Sequence, residues 1–142
     1  MATSYVLHDD SGGIIGSKAL LNTVPNVNFK NTGFTTLFTV PAGKQFILDD
    51  IRSQPTNVTG LTVEPDFTAG CNNPTYDDWA AGYTLFQSAT NNDTSLRNLI
   101  ITNGVYVFGK VYQAGDVLKF QIDTPATATT YLATLRVFGI LF

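Results

Sequence analysis

Few side chains in this chain could do chemistry, and their spacing limits what that chemistry could be. His8 is the only histidine and Cys71 the only cysteine among 142 residues. A Ser–His–Asp triad would have to use His8, which lies beside Asp9 and Asp10 ahead of Ser11-Gly12-Gly13, whereas such a triad needs a rigidly oriented base. Zinc takes three or four His or Cys ligands. This chain offers two, so no metal or cofactor site is expected. Cys71, in Ala69-Gly70-Cys71-Asn72-Asn73-Pro74, has no acid or histidine at a catalytic spacing and reads as a half-buried structural thiol. A single cysteine also rules out an intrachain disulfide, which leaves burial to hold the fold.

Acids occur in pairs, at Asp9-Asp10, Asp49-Asp50 and Asp77-Asp78. Calcium accepts clustered carboxylates, but no Asp-x-Asp-x-Asp-Gly loop is present. Neighbouring residues on a strand point to opposite faces, so Asp49 and Asp50 are not expected to serve one site. Glu64 with any Asp formally supplies the two carboxylates of a glycosidase, a pairing without specificity among eleven acids. These acids are expected to cap turns and keep sheet edges soluble. No catalytic residue is assigned and no enzyme is expected. Tyr76, Trp79 and Tyr83 lie close together in the sequence. Trp79 reads either as a binding or interface anchor or as a plug at one end of the fold.

Bulk composition narrows the partners. Net charge is -3 and the isoelectric point about 4.7. The eight basic residues form no run, so a nucleic-acid surface is not expected. No apolar run approaches the roughly 18–20 residues of a membrane span, and the first residues lack the basic start and apolar segment of a secretory signal. Synthesis in the cytoplasm without the usual export is therefore expected. Charged residues are 13% of the chain, about half the roughly 25% usual for soluble domains. Neutral Thr and Asn supply much of the polarity, as on proteins that work packed in an assembly.

The elements that must position these groups are strands. Phe34, Thr36, Phe38 and Val40 read as one face of a first strand. Gln45–Ser53 returns, with Phe46 and Leu48 on one face and Ile47 and Ile51 on the other. Leu61, Val63, Pro65 and Phe67 alternate with polar residues, and the proline suggests an edge strand. Further strands are expected at Tyr83–Ser88, Leu96–Thr102, Val105–Val111 and Val117–Ile122, the last with Leu118, Phe120 and Ile122 inward. The longest is expected at Thr129–Phe142, apolar on both faces and so fit for a sheet interior. Asn103-Gly104 signals a hairpin, and Pro74–Ala81 is the one helix candidate. Two similar corners, Pro41-Ala42-Gly43-Lys44 and Gln113-Ala114-Gly115-Asp116, each join two apolar runs through a glycine able to take positive φ. About eight strands at this spacing predict an all-β fold, an antiparallel β-sandwich with jelly-roll-like topology. Residues 1–25 read as an N-terminal arm closed by Pro25, and residues 26–142 as the sandwich domain. The apolar pairs Ile14-Ile15 and Leu20-Leu21 in the arm need cover, so they join Trp79 as candidate interface residues.

Thr36-Leu37-Phe38-Thr39-Val40-Pro41-Ala42-Gly43-Lys44-Gln45-Phe46-Ile47-Leu48 resembles the opening of many small bacteriophage virion proteins. Gln113–Phe120 is similar to the late hairpin of that class. The resemblance spans roughly residues 34–142. Size and low charge within it look most like a head decoration, or cement, protein. It implies a structural protein of the virion, made in the host cytoplasm and seated on the capsid surface. Such a protein would form a homotrimer that bridges neighbouring copies of the major capsid protein. It carries over no contact residues. A receptor or carbohydrate-binding module of a tail fibre or baseplate is the alternative, with Trp79 as its aromatic platform. A shell subunit and a hydrolase follow.

Overall fold

The structure, a computed structural model, describes residues 6–8, 14–85, 92–102 and 109–142. Among them run β1 (Val6–His8), β2 (Ile14–Asn28), β3 (Gly33–Thr39), β4 (Phe46–Thr59), β5 (Asp66–Gly70) and β6 (Ala80–Thr84). They are followed by β7 (Thr94–Ser95), α1 (Leu96–Thr102), β8 (Val111–Tyr112), β9 (Val117–Thr124) and β10 (Thr130–Leu141). The Asn103-Gly104 turn, the 9–13 turn cluster with Asp9-Asp10, and parts of the strands expected at 83–88 and 105–111 lie outside the described residues. So do the side chains of His8, Ile14 and Ile15.

Two antiparallel sheets form, ordered β1-β2-β10-β4-β7 with β8 also on β4, and β3-β9-β5-β6. The chain changes sheet between β2 and β3, β3 and β4, β4 and β5, β6 and β7, β8 and β9, and β9 and β10. That order is a jelly roll, the double-sheet arrangement of an antiparallel sandwich. β10 is central, paired along its length with β2 and β4, as its two apolar faces require. It is not the longest strand, because β2 has 15 residues and β4 has 14 against its 12. β2 runs unbroken through Pro25, from Lys18 opposite Ile140 to Asn28 opposite Leu132. The inward row of β10, Tyr131, Ala133, Leu135 and Val137, meets Leu118, Phe120 and Ile122 of β9 in one core. An aromatic column crosses that core. Tyr131 packs on Phe29 at 5.0 Å, Phe29 on Phe120 at 5.7 Å, and Phe120 on Phe67 at 5.6 Å.

The two similar corners do not make hairpins. Each carries the chain from one sheet to the other, β3 to β4 and β8 to β9. Lys44 N–H donates to Pro41 O (3.1 Å) and Asp116 N–H to Gln113 O (3.0 Å). Gly43 at φ 73° and Gly115 at φ 90° take the left-handed position that such a turn demands. The corners also bind each other: Val40 N–H donates to Asp116 O and Gly115 N–H to Val40 O, both at 2.9 Å. Their likeness in sequence is thus a matched pair of inter-sheet crossings, side by side.

Bulges overturn several face assignments. In β3 the register shifts between Thr36 and Phe38, so Leu37 is the fully buried residue and Phe34 points outward, 45% exposed. In β4 the shift beside Asp49 returns Ile51 to the inward face of Phe46 and Leu48. A bulge sets two residues against one partner residue and breaks the alternation. Pro65 precedes β5, which lies between β9 and β6 and is no edge.

Leu96–Thr102 is a helix, not a strand. Leu96 and Ile100 share its buried side, a helical spacing. Ser95 Oγ caps it by accepting Asn98 N–H at 3.2 Å. α1 packs against β4 and β6, which border the same side of the sandwich. On the other side Asn22 Nδ2 of β2 donates to Leu37 O of β3 at 2.6 Å. Ala80 and Ala81 already belong to β6, and residues 74–79 form turns and bends rather than the expected helix, because Asn72 takes over the local donors. Its backbone oxygen accepts Tyr76 N–H (2.6 Å), and its Oδ1 accepts Asp77 N–H (2.7 Å) and Asp78 N–H (3.0 Å). The same side chain and Thr75 hydrogen-bond the Asp77 carboxylate and hold it below the usual carboxylate range.

The β4 bulge also brings Asp49 and Asp50 onto one residue, contrary to simple alternation. Arg97 Nη1 binds Asp49 Oδ1 at 2.8 Å while Arg97 N–H donates to Asp50 Oδ1 at 3.0 Å. Ser95 Oγ donates to Asp50 Oδ2 at 2.7 Å, and Arg52 Nη1 lies 3.7 Å from that oxygen. Burial pushes the Asp50 carboxyl up and outweighs these bonds and charges, which pull it down. A carboxyl raised in the folded state contributes stability below its unfolded pKa and loses it as pH climbs through the folded value. Asp50→Asn is therefore expected to gain on the wild-type chain as pH rises from about 4. Urea midpoints measured from pH 4 to 8 check this, and a gap that stays flat or narrows contradicts it.

Candidate functional site

The outer face of the six-stranded sheet carries an apolar stripe. Opposed residues in an antiparallel pair share a face, so the register fixes who is adjacent. Leu20 lies opposite Phe138, while Ile140 lies opposite Ile47, itself opposite Val111. Five apolar side chains from four strands thus face outward together. Leu20 is 50% and Val111 40% exposed, and Phe138 and Ile47 are half-buried. Ile140 is shielded, lying opposite Lys18 with its Cγ2 against Gly16. Lys18 on β2 reaches across β10 to Asp49 on β4, Nζ to Oδ2 2.6 Å, so its aliphatic stem passes over β10 there. The Lys18–Asp49–Arg97 group straps the stripe, and Arg52 and Arg136 border it. Arg52 Nε binds Asp93 Oδ2 at 2.9 Å and Arg136 Nη1 binds Gln54 Oε1 at 2.9 Å. An apolar centre with arginines at its margin is the make-up of protein–protein contacts.

Of the residues singled out from the sequence, Leu20 belongs to this stripe. Leu21 packs against the core, because β2 bulges there. Ile14 and Ile15 open β2, the strand that carries Leu20, and Ile14 pairs with His8. Trp79 is 7% exposed within the core and presents no open platform. The sequence alone does not single out Phe138, Ile47 or Val111, although a final strand apolar on both faces is a signal for Phe138.

A second outward feature lies on the four-stranded sheet. Tyr76 does not group with Trp79 and Tyr83, since Tyr83 packs on Phe67 at 6.3 Å. It meets Phe34 instead, at 5.1 Å and 65°. Lys119 Nζ sits 4.7 Å from the Tyr76 ring centre and 5.6 Å from that of Phe34, a cation–π contact with both. Gly70 makes room for this cluster. A Cβ there would stand 2.7 Å from Asp78 N and 3.0 Å from Tyr76 C, so the 72–78 loop lies directly on the sheet. Asp78 fixes the loop by accepting Cys71 N–H at 2.8 Å and the Tyr112 hydroxyl at 3.2 Å, and by pairing with Lys110.

The chemically suggestive residues stay apart. Burial, then the charges of Asp78 and Asp116, push the Cys71 thiol up, so it is no thiolate nucleophile at neutral pH. Glu64 and Asp66 share an open cleft of about 580 Å³ with Thr84 and Thr124. Burial raises the Glu64 carboxyl, and Thr84 Oγ1 donates to Asp66 Oδ1 at 2.6 Å. Among the described residues no histidine or cysteine lines that cleft. Among the described residues no three His, Cys, Asp or Glu side chains cluster to hold a metal ion, and no helix is long and apolar enough to cross a membrane.

No protein-family model matches the chain, and no curated protein matches it. A chain of the acidic stable capsid structure of Helicobacter pylori bacteriophage KHP30 is similar in structure, with a TM-score of 0.49 and 14% identity. The match covers 89% of this chain and 93% of that one.

Proposed function

We propose that this chain is a non-enzymatic structural protein of a phage virion, a capsid decoration protein. It binds the outer surface of the major capsid protein shell and stabilises it, as a homotrimer. The observation that carries this reading is the outward apolar set of Leu20, Phe138, Ile47 and Val111, joined across the sheet by the shielded Ile140. Scattered surface apolar residues need no explanation, but contiguous ones point to a partner. The low charge of the chain and the pairing of Lys18, Arg52, Arg97 and Lys110 with acids of the same chain fit a surface that packs against neighbours. Binding the assembled shell alone stabilises it by mass action, and three linked copies add avidity. β1 and the start of β2 extend the stripe's own strand and are the segment expected to reach a neighbour.

Purified phage particles test it. The wild-type protein is expected at hundreds of copies per particle and to co-sediment with particles stripped of it. The Leu20→Asp, Val111→Asp double variant changes two exposed positions, so its melting temperature is expected to stay close to wild type. Its particle binding is expected to fall about tenfold or more, which corresponds to about 1.4 kcal/mol. Removal of residues 1–13, which leaves β2 whole, is expected to weaken binding or dissociate the oligomer. Unchanged binding in both variants sinks the proposal. A copy number of a few per particle favours the tail-module alternative.

A further inference from the structure

We propose that the groove where the end of β2 meets the start of β3 binds a neutral carbohydrate. It has a volume of about 260 Å³ and is lined by Asn26, Asn28, Asn31, Thr32, Phe34 and Thr35, backed by aliphatic residues. Among the described residues no acidic or basic one is part of the lining. The nearest cations are engaged elsewhere, Lys30 Nζ with Thr129 O at 3.0 Å and Lys119 Nζ over the Phe34 and Tyr76 rings, so the lining itself suits an uncharged ligand better than an anionic one. Each Asn amide offers two donors and an acceptor, and each Thr hydroxyl donates and accepts. Sugar hydroxyls also do both, so a row of amides and hydroxyls can satisfy them at several points. Asn28 Oδ1 accepts Lys30 N–H at 3.0 Å, which orients that amide with its NH₂ group still to give.

Phe34 supplies the apolar part. Sugar rings carry faces of C–H groups that pack on aromatic rings, and small-molecule sites combine aromatic lining with a few placed polar groups. Phe34 is 45% exposed yet held, with Tyr76 at 5.1 Å edge-on and Lys119 Nζ at 5.6 Å. Tyr76 is itself fixed by Asn72 O at 2.6 Å. An aromatic ring braced before binding spares the ordering cost of association. Two non-glycine residues take left-handed backbone here, Asn26 at φ 58° in the groove and Tyr76 at φ 50° in the brace. Such conformations persist where the surroundings enforce them, and they gather at ligand sites. None of the stripe's residues lines the groove, so this inference does not depend on the capsid reading.

An array of uncharged oligosaccharides, followed by saturation-transfer NMR on the best binder, tests it. At least one neutral class is expected to bind. Phe34→Ala is expected to weaken it about tenfold or more, and Asn31→Ala severalfold, with particle co-sedimentation unchanged in both. Both positions are exposed, and circular dichroism verifies that each variant folds. The proposal is overturned by no binding of any uncharged glycan up to millimolar concentration, by binding confined to anionic glycans, or by a folded Phe34→Ala protein that binds as wild type does.

Discussion

Phe120→Ala is expected to lower the unfolding free energy by about 3–5 kcal/mol, the range for a buried Phe reduced to Ala. Phe120 is fully buried on β9 and occupies the middle of the aromatic column. It is stacked on Phe29 at 5.7 Å and on Phe67 at 5.6 Å and 13°. Through Phe29 the column reaches Tyr131 on the other sheet, so the lost ring leaves a void between the layers rather than at a margin. Neighbours from three separate segments cannot all close in without moving a sheet. Folded domains of this size hold about 5–15 kcal/mol in total, so a large part of the stability is at stake. Equilibrium urea unfolding measures the change, with Phe34→Ala as a partly exposed comparison expected to cost under about 1 kcal/mol. A loss at Phe120 no larger than at Phe34 would show that the column is not packed as described.

Gly139→Ala is the second large effect, expected to cost about 3 kcal/mol or more, at or above the upper end for inserting a methyl into a packed core. A Cβ at Gly139 would run into the carbonyl oxygen of Ile47 and the ring of Phe46. Both obstacles belong to β4, whose ladder with β10 runs from Thr130 to Leu141. A side chain can swing away, but the Ile47 carbonyl cannot move without breaking that ladder. Gly43→Ala separates this cause from backbone conformation. A Cβ there meets nothing, but φ is 73°, so the expected cost is the roughly 1–2 kcal/mol of a left-handed residue. Thermal unfolding of both variants gives the comparison. Equal losses would remove the steric argument at Gly139.

The fold was legible where a strand keeps its period. Leu118, Phe120 and Ile122 alternate without interruption, and all three are buried. The final strand is apolar on both faces and sits between two others. Faces are not legible where one extra residue breaks the period. The bulges beside Leu37 and Asp49 reverse the faces beyond them, and no composition rule announces a bulge. Leu96-Arg97-Asn98-Leu99-Ile100 carries a helical spacing behind Ser95 as cap, but its strand-rich context drew it to the wrong class. At residues 74–79 the acids near the start suggest a helix, and the hydrogen bonds of Asn72, from its backbone oxygen and its side chain, decide for a turn.

The candidate sites were less legible, because contact between distant strands is not written locally. Leu20 was found from its own apolarity, but nothing in the chain's order sets it beside Phe138, or sets Val111 beside Ile47. Trp79 drew notice as the only tryptophan, and burial places it in the core. Phe34 and Tyr76 lie 42 positions apart and meet because Gly70 lets a loop lie flat on the sheet.

The sequence by itself determined the class of fold, since period-two apolar runs and glycine corners admit strands and little else. It also determined the low share of charged residues, 13% of the chain, since that depends on composition alone. Only the tertiary structure decided that the two corners are crossings bonded to each other, and which apolar residues remain outside. Those outcomes depend on strand order and register, which long-range hydrogen bonds and packing fix jointly and no local stretch of sequence specifies.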